Sequence, residues 1–496
     1  GSAFINNAFG GSNISGNVTD SYIKNLANST NSFVDITATY KESSQHNSQA
    51  TNYKSSQELT IDIKNNGSST ITTWDLYLIT SEGFVSANWS SAKIEALGNG
   101  YHIDETNQYY GTNQINSGNS YQISFHIHSL VPYEDFQIYG YSFVGFDANG
   151  NKYTNSLLVN NLYGGNNEGG KTTNTHIDLT TGKINYLYGG GNKAETTNTN
   201  INLTNTTITS EAFGGGNEAS VEDVIMNTSS STIGTPDKEG AVYGGGNKAA
   251  INDTIKLKID NNTTINGSLY GGGNLGEVHG LIETNITNST VTNAIYGGGN
   301  KASVGLTNNT NTALTLTMSN STTKNIYGAG NQAPVYGNIT LTINEGSKIT
   351  DSLYGGGNLG EVQGTTNTII DNSTITNNIY GAGNKASVGK NITDNATNLT
   401  ITNTTTKNIY GGGNAAATKG NTNTKISSTT VSESIYGGGN GTESIVSGDE
   451  TGEQNLAKVL GDAILVIDEN TTAKNIYGGG NLGMVNGSTN VKATNI

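Results

Sequence analysis

The sequence contains neither cysteine nor arginine, and only 3 prolines and 13% charged residues. Without cysteine, disulfides, thiolate nucleophiles and Cys-ligated metals are excluded. Phosphate recognition depends on clustered Lys and Arg, so the missing arginine and the formal net charge of −15 argue against nucleic acid as a partner. The apolar runs fall far short of the roughly 20 residues that cross a bilayer. The first residues also lack the charged and apolar regions of a signal peptide. We therefore expect no membrane insertion and no signal peptide.

Glycine is abundant, with 67 residues, and much of it lies in one repeated motif, an aromatic residue followed by Gly-Gly-Gly-Asn or a close variant. Copies of the motif begin at Tyr163, Tyr188, Phe213, Tyr243, Tyr270, Tyr296, Tyr327, Tyr354, Tyr380, Tyr410, Tyr436 and Tyr477. An isolated earlier copy begins at Phe9. Most copies are 25 to 31 residues apart, and the last interval is 41. A repeat of this length indicates stacked structural units.

Between the motifs, apolar and polar residues alternate, as in the stretch 200–204 (NINLT). This period of two predicts strands, and three consecutive glycines would destabilise a helix by roughly 1 kcal/mol each. We therefore predict an all-β fold in which a β-solenoid stacks about twelve coils of roughly 26 residues. The glycines are expected at one corner, where positive φ or close backbone approach excludes a Cβ. The Asn and aromatic residues are expected to form ladders from coil to coil.

Residues 31–150 interrupt the repeat. Both tryptophans, Trp74 and Trp89, lie in this segment, which reads as strands separated by turns. Several such strands favour an antiparallel β-sandwich. We therefore divide the chain into a first or capping coil (1–30), the sandwich (31–150) and the main solenoid (151–496). The sandwich is either inserted between the first two coils or flanks the array after a capping coil.

Several motifs of the sandwich segment resemble those of family 2 carbohydrate-binding modules, which are cellulose- and chitin-binding β-sandwiches. They occur in the family's order and are the stretches 64–76 (KNNGSSTITTWDL), 87–90 (ANWS), 115–125 (INSGNSYQISF) and 136–140 (FQIYG). In that family, surface aromatic residues form a flat strip that stacks on sugar rings, while another tryptophan lies in the core. The axial C–H face of a β-linked sugar ring is apolar, which is why a flat aromatic side chain binds it.

The resemblance implies that Trp74 is the core tryptophan and that Trp89 belongs to the carbohydrate-binding strip. Tyr53 falls at a second strip position, and Tyr109 or Tyr110 falls near the third. The sequence departs from the family because two strip positions are Tyr rather than Trp, the usual Cys pair is absent, and Thr73 replaces the Gly before the core tryptophan. The alternative for Trp89 and the tyrosines is that they are ordinary half-buried sheet residues.

Other candidate sites are weaker. Glu277 and Glu361 recur in a repeated Leu-Gly-Glu-Val segment, with His279 beside the first, but equivalent positions three coils apart are too distant for the carboxylate pair of a glycosidase. His126 and His128 share one face of a strand with no evident third metal ligand. The acidic loop from Asp449 to Glu453 could hold Ca²⁺, although a solvated loop is the simpler interpretation. We expect no catalytic residues, no metal and no cofactor.

The sequence therefore favours a non-catalytic protein, secreted or at the cell surface, that binds insoluble β-glucan through the sandwich and displays it on the solenoid. The motif array resembles repeat arrays of bacterial surface proteins. The preferred polysaccharide is cellulose, with chitin or xylan as alternatives. A surface adhesin or stalk with a protein or host-glycan ligand is the main competing hypothesis. A polysaccharide-degrading β-helix enzyme and an ice-binding protein with rows of threonines remain further alternatives.

Overall fold

The structure is a computed structural model, and it describes residues 4–24, 33–43, 53–98, 100–107, 109, 111–155, 158–307, 310–441 and 457–494. These residues form strands and turns, with one 3-10 turn at Tyr133–Asp135. The part of the chain that is described includes no helix long and apolar enough to cross a membrane. Two compact units are present. Unit 1 comprises Gly1–Ala8, Asn25–Leu162 and Thr181–Asn185, and unit 2 comprises Phe9–Lys24, Tyr163–Thr180 and Tyr186–Ile496.

The strands up to the second copy of the motif are β1 (Phe4–Phe9), β2 (Val18–Lys24), β3 (Val34–Glu42), β4 (Ser55–Asn65), β5 (Ile71–Thr80), β6 (Gly83–Asn88), β7 (Ala92–Leu97), β8 (Gly100–Asn107), β9 (Ser120–Ser129), β10 (Ile138–Asp147), β11 (Lys152–Thr154) and β12 (Leu158–Tyr163). The next strands are β13 (Thr172–Leu179), β14 (Gly182–Tyr188), β15 (Thr196–Thr204), β16 (Thr206–Phe213), β17 (Val221–Ser229), β18 (Thr232–Ile233), β19 (Gly240–Tyr243), β20 (Ile255–Asp260), β21 (Thr264–Ile265), β22 (Gly267–Tyr270), β23 (Ile282–Thr287), β24 (Thr290–Tyr296), β25 (Thr312–Ser319), β26 (Thr322–Tyr327), β27 (Val335–Tyr336) and β28 (Asn338–Asn344). The last are β29 (Lys348–Ile349), β30 (Leu353–Tyr354), β31 (Val362–Gln363), β32 (Thr366–Asp371), β33 (Thr374–Ile375), β34 (Asn378–Tyr380), β35 (Asn395–Thr402), β36 (Thr405–Thr406), β37 (Asn408–Tyr410), β38 (Asn421–Ser427), β39 (Thr430–Val431), β40 (Ser434–Tyr436), β41 (Ala463–Ile467), β42 (Asn475–Tyr477) and β43 (Thr489–Ala493).

Unit 1 is an antiparallel β-sandwich. One sheet has the order β3-β4-β9-β6, and in the other β10 pairs with β5, β5 with β8, and β8 with β7. The inward faces meet in a core of buried residues that includes Trp74, Phe125 and Phe143. Trp74 is 1% exposed, and its indole N–H donates to the carbonyl of Asn113 at 2.7 Å. The expectation that Trp74 is the core tryptophan is therefore confirmed.

Unit 2 is a β-solenoid whose coils each contain three extended segments. The first segments form a 13-stranded sheet from β2 to β43, and neighbouring strands run parallel, as β23 and β25 do. The second segments end at the aromatic residue of the motif, so that Tyr270 pairs with Tyr296. The third is a single bridging position in most coils, such as Val278 paired with Val304, and a two-residue strand in β27 and β31. Because β2 pairs with β13 although residues 25–171 separate them in the sequence, the sandwich is an insertion in the solenoid.

The predicted Asn and aromatic ladders are both present. The amide of Asn300 donates to Asn274 at 2.9 Å and accepts from Asn331 at 2.9 Å. Equivalent bonds connect consecutive coils from Asn13 to Asn481. The motif aromatics stack with ring centroids 4.8–5.0 Å apart throughout the array. The spacing equals the distance between hydrogen-bonded strands, so each coil supplies one ring and one amide per step.

Close backbone approach explains the motif glycines. None of them has positive φ, but a Cβ on the first glycine of a motif, such as Gly271, would overlap the carbonyl oxygen of the next coil's Gly297. The middle position is less crowded, since a Cβ on Gly272 would meet the backbone nitrogen of Gly299 at 2.9 Å. The sequence itself places alanine at this middle position in two motifs, as Ala329 and Ala382.

Left-handed residues occupy a different corner of the coil. Asn205, Asn288 and Asn403 have φ of 47–48° and lie in the turn between the first and second segments. Asparagine adopts this conformation more readily than most residues with a Cβ. The two corners therefore use Asn and Gly for different reasons, conformation at one and space at the other.

Candidate aromatic binding face of the sandwich

The candidate site lies on the outer face of the sheet β3-β4-β9-β6. Strand β9 alternates strictly, with Ile123, Phe125 and Ile127 buried in the core. His126 and His128 therefore point to the opposite face. Both are nonetheless only 2% exposed, because other aromatic side chains cover them.

Three side chains form this cover, which we call the aromatic patch: Tyr53, Phe84 and Trp89. Tyr53 stacks on His128 with ring centroids 4.2 Å apart and an interplanar angle of 19°. Phe84 contacts the same histidine edge-on at 5.2 Å, as expected from its position directly opposite His128 in the β6–β9 register. The ring centroid of Trp89 lies 5.9 Å from that of His126. Trp89 is 50% exposed and Phe84 is 44% exposed, so the patch presents apolar surface to solvent.

The histidines beneath the patch are held by serine hydroxyls. Ser56 Oγ lies 2.8 Å from His128 Nδ1, and Ser86 Oγ lies 2.5 Å from His126 Nδ1. Ser86 occupies a β-bulge in the pairing of β6 with β9, and this bulge re-aims its side chain. Burial, together with the nearby His128, lowers the pKa of His126 below its usual 6.5. His126, which supports the patch from below, is therefore uncharged at neutral pH.

The other ring nitrogen of His126, Nε2, is buried with no hydrogen-bond partner among the described residues. His126 is therefore bonded through Nδ1 alone. Within the described part of the chain, no group of three His, Asp or Glu side chains is arranged to hold a metal ion.

The backbone around Trp89 is fixed by local hydrogen bonds. The Trp89 N–H donates to the carbonyl of Ser124 at 3.0 Å, which continues the pairing of β6 with β9. The side chain of Asn88 accepts from the Ser90 N–H at 3.0 Å and donates to the carbonyl of Ala92 at 2.8 Å. This Asx-type turn restrains the chain on both sides of the indole. The indole is thus positioned before any ligand arrives.

Polar side chains continue the same face beyond the patch. Glu58 pairs with His126 in the β4–β9 register, and its carboxylate lies 3.0 Å from the Lys41 ammonium. Four residues further along the same two strands, Gln122 donates to Asp62 at 2.9 Å. An apolar platform bordered by fixed polar groups is the arrangement that binds a sugar ring by its face and its hydroxyls.

The structure brings together only some of the predicted strip residues. Tyr53 and Trp89 share the face described above. Tyr109 is 73% exposed, but it follows β8, which belongs to the other sheet, and its N–H donates to the Asn107 side chain at 2.8 Å. Tyr110 lies outside the described residues. Phe84 belongs to the patch and was missed by sequence reasoning, although the alternation of Phe84 with the inward-facing Val85 was a usable signal.

A second ring-on-histidine pair lies on the outer face of the other sheet. Tyr77 stacks on His102 with centroids 4.8 Å apart and is 47% exposed. His102 Nε2 lies 2.7 Å from a carboxylate oxygen of Asp75, and its Nδ1 lies 3.9 Å from Glu95. This ring is therefore surrounded by charge, in contrast to the clustered rings of the aromatic patch.

The carboxylates considered on the solenoid are each engaged by neighbours. Glu277 lies 3.5 Å from His279. The Gln363 side chain donates to Glu361, and this bond is the main reason that the pKa of Glu361 is lowered, with Lys419 contributing. Glu361 is thus held in its ionised form, which does not suit a general acid. The acidic loop from Asp449 to Glu453 lies outside the described residues.

No known family profile matches the sequence, and no curated protein matches it. Several solved structures show some likeness to this chain, and three of them are described. The match to a GH20 exo-β-N-acetylglucosaminidase from Vibrio harveyi has 12% identity and a TM-score of 0.19, and it covers 26% of this chain and 18% of that enzyme. The match to the chitin-binding domain of Chi18aC from Streptomyces coelicolor has 18% identity and a TM-score of 0.14. It covers 19% of this chain and 80% of that domain. The match to the catalytic domain of a GH87 α-1,3-glucanase has 12% identity and a TM-score of 0.22. It covers 94% of this chain and 98% of that domain. At these scores the likenesses assign neither a family nor a ligand to this chain.

Proposed function

We propose that this protein is a non-catalytic polysaccharide-binding protein, secreted or displayed at the cell surface, whose ligand is an insoluble β-glucan, cellulose first. The observation that carries the proposal is the aromatic patch. Tyr53, Phe84 and Trp89 lie on one sheet face, and Trp89 and Phe84 are about half exposed. Large contiguous apolar surface on a soluble protein marks an interaction site.

The geometry of the patch suits a flat polymer surface. A pleated sheet presents its outward side chains on a broad face rather than in a cleft, and the histidines beneath support the rings from below. Sugar rings that stack on Trp89 and Tyr53 would place their equatorial hydroxyls beside polar groups such as Glu58 and Gln122. A rigid platform loses little conformational entropy when it binds, which favours affinity.

The same face supports a binding role rather than hydrolysis. Hydrolysis of a glycosidic bond needs two carboxyl groups flanking the bond. On this face, Glu58 is paired with Lys41 and Asp62 accepts from Gln122, and both lie on an open sheet. We assign the solenoid the role of a rigid support that carries the sandwich, with no chemistry on the ligand.

The proposal is tested by incubating the purified full chain with microcrystalline cellulose, chitin and xylan, and by assaying soluble sugar in the supernatant. We expect retention on cellulose without release of sugar. Sugar release would contradict the non-catalytic role. Retention on chitin or xylan alone would replace cellulose as the ligand, and retention on none of the polymers would overturn the proposal in favour of an adhesin with another ligand.

A further inference from the structure

Unit 1 contains a groove that is separate from the aromatic patch. Its volume is about 670 Å³, within the range of small-ligand sites. It opens where the edge strand β3 meets β1 and β10, so that the sandwich core is incompletely covered there. The half-buried side chains of Phe4, Ile36, Ala38 and Tyr40 reach the groove from the core.

The aromatic rings of the groove are fixed in place. Phe4 stacks on Tyr141 with centroids 4.8 Å apart and an interplanar angle of 13°. The Tyr40 hydroxyl donates to the carbonyl of Phe136 at 2.7 Å, and the Tyr141 hydroxyl donates to the carbonyl of Ile36 at 2.9 Å. The second of these bonds joins β10 of one sheet to β3 of the other. The apolar floor of the groove is therefore pre-formed.

One side of the groove is a row of side-chain amides. Asn160 donates to Asn6 at 2.9 Å, and Asn6 donates to Gln137 at 2.9 Å. A parallel bond joins Asn161 to Asn7 at 2.9 Å. Each amide has two N–H donors and two acceptor sites, and each bond of the row uses one donor and one acceptor. The row thus orients amides that retain capacity for the hydroxyls of a ligand.

The charges around the groove balance. Of the residues that line it, Glu134 is the single acid and Lys183 the single base. An anionic ligand would be expected to meet an excess of Lys, as phosphate or uronate recognition requires. The groove therefore has an apolar floor, a wall of amides and no net charge. This combination suits a neutral sugar chain.

We propose that this groove binds a single chain of a neutral β-1,4-linked polysaccharide, distinct from the surface bound by the aromatic patch. The choice of linkage rests on the proposed function of the patch, whereas the neutral sugar class rests on the groove itself. A groove can surround one flexible chain, but a flat crystalline surface cannot enter it. The protein therefore has two modes of contact, one for the surface of a fibre and one for chains that have separated from it.

Calorimetric titration of the full chain with cellohexaose, chitohexaose and xylohexaose tests this assignment. We expect at least one hexasaccharide to bind. Ala38→Trp fills the groove from β3 and should weaken that binding at least tenfold. Trp89→Ala should change the affinity for the soluble hexasaccharide less than twofold, although it removes an aromatic ring of the patch.

Because Ala38→Trp could disturb the sandwich core, circular dichroism checks its fold, and Gln137→Trp blocks the groove from an exposed position in the amide row as a second variant. The assignment is overturned if none of the three hexasaccharides binds, or if both folded variants bind as the parent does. Loss of soluble binding in Trp89→Ala would also overturn it, since the patch would then be the only site. A protein retained on cellulose that binds no hexasaccharide would contradict the groove and leave the proposed function standing.

Discussion

In the solenoid, each motif aromatic lies on the ring of the next coil, and Tyr163, Tyr270 and Tyr410 are at most 8% exposed. In the sandwich, Trp89 and Phe84 are 50% and 44% exposed. Aromatic side chains are therefore buried against one another in the solenoid ladder, whereas those of the aromatic patch are exposed to solvent. Where the sequence repeats, an aromatic ring always finds its own copy one strand away. On the outer face of the sandwich, Trp89 and Phe84 have no such copy and stay exposed.

The amides show a related difference. In the solenoid, the Asn of each motif bonds to the Asn of the neighbouring coil, so the ladder is closed except at its ends. In unit 1, the row that includes Asn6 and Asn160 also connects positions three residues before successive motif aromatics, since Asn185 donates to Asn160 at 2.8 Å, but this row lines a groove. This difference supports our proposal that ligand recognition is concentrated in the sandwich unit.

The largest effect should come from a methyl group at a motif corner. Gly271→Ala should destabilise the protein by about 3 kcal/mol or more, because the Cβ would overlap the Gly297 carbonyl oxygen. Gly272→Ala, the matched control at the tolerant middle position, should cost about 1 kcal/mol or less. Chemical denaturation followed by circular dichroism measures both. Equal losses would show that close approach at the first glycine does not determine the corner.

The next effect should come from a break in the Asn ladder. Asn300→Ala removes one bond to Asn274 and one from Asn331, and it should cost about 1–3 kcal/mol because neighbouring amides lose their partners. Asn285→Ala, on the exposed face of β23, is the control and should change stability by less than about 0.5 kcal/mol. If Asn300→Ala were as stable as Asn285→Ala, the ladder would align the coils without adding to the stability of the protein.

A smaller effect is expected from the edge of the aromatic patch. Phe84→Ala should weaken retention on cellulose roughly fivefold, corresponding to about 1 kcal/mol for one aromatic contact. Tyr77→Ala removes the comparable ring-on-histidine pair from the other sheet and should leave retention unchanged. Depletion isotherms on microcrystalline cellulose give both affinities. If Tyr77→Ala lost more affinity than Phe84→Ala, the binding face would lie on the other sheet.

The smallest effect concerns pH. The pKa of His126 is lowered in the folded protein, so the unfolded chain takes up a proton first as the pH falls. The contribution of this histidine to stability is therefore complete above the ordinary pKa of 6.5 and is lost as the pH falls from there through the lowered value. His126→Gln should flatten the profile of stability against pH below 6.5. Parallel profiles for parent and variant would contradict the uncharged support beneath the patch.

The solenoid could be predicted closely from the sequence because its determinants recur. Spacing alone indicated the ladders of Asn and aromatic residues, and the glycine corner followed from the absence of side chains. What spacing could not decide was whether Gly271 and its equivalents are needed for conformation or for space. Only the positions of the neighbouring carbonyl oxygens answer that question.

The sandwich could be predicted less well because its contacts are non-repeating. The resemblance to carbohydrate-binding modules led to Tyr53 and Trp89, which lie on one face, and it placed Trp74 correctly in the core. It could not reveal Phe84, whose role depends on the β6–β9 register, nor the histidines that support the rings. It also drew in Tyr109, since proximity along a family pattern does not specify the sheet to which a loop belongs.

The central claim is that the exposed rings of the sandwich, rather than the repeated surface of the solenoid, bind the polysaccharide. It is tested most directly by comparing the cellulose binding of the parent chain with that of Trp89→Ala, after circular dichroism has shown that the variant is folded. We predict that the variant loses at least tenfold in affinity for microcrystalline cellulose. A folded Trp89→Ala protein that binds cellulose as tightly as the parent would contradict the claim.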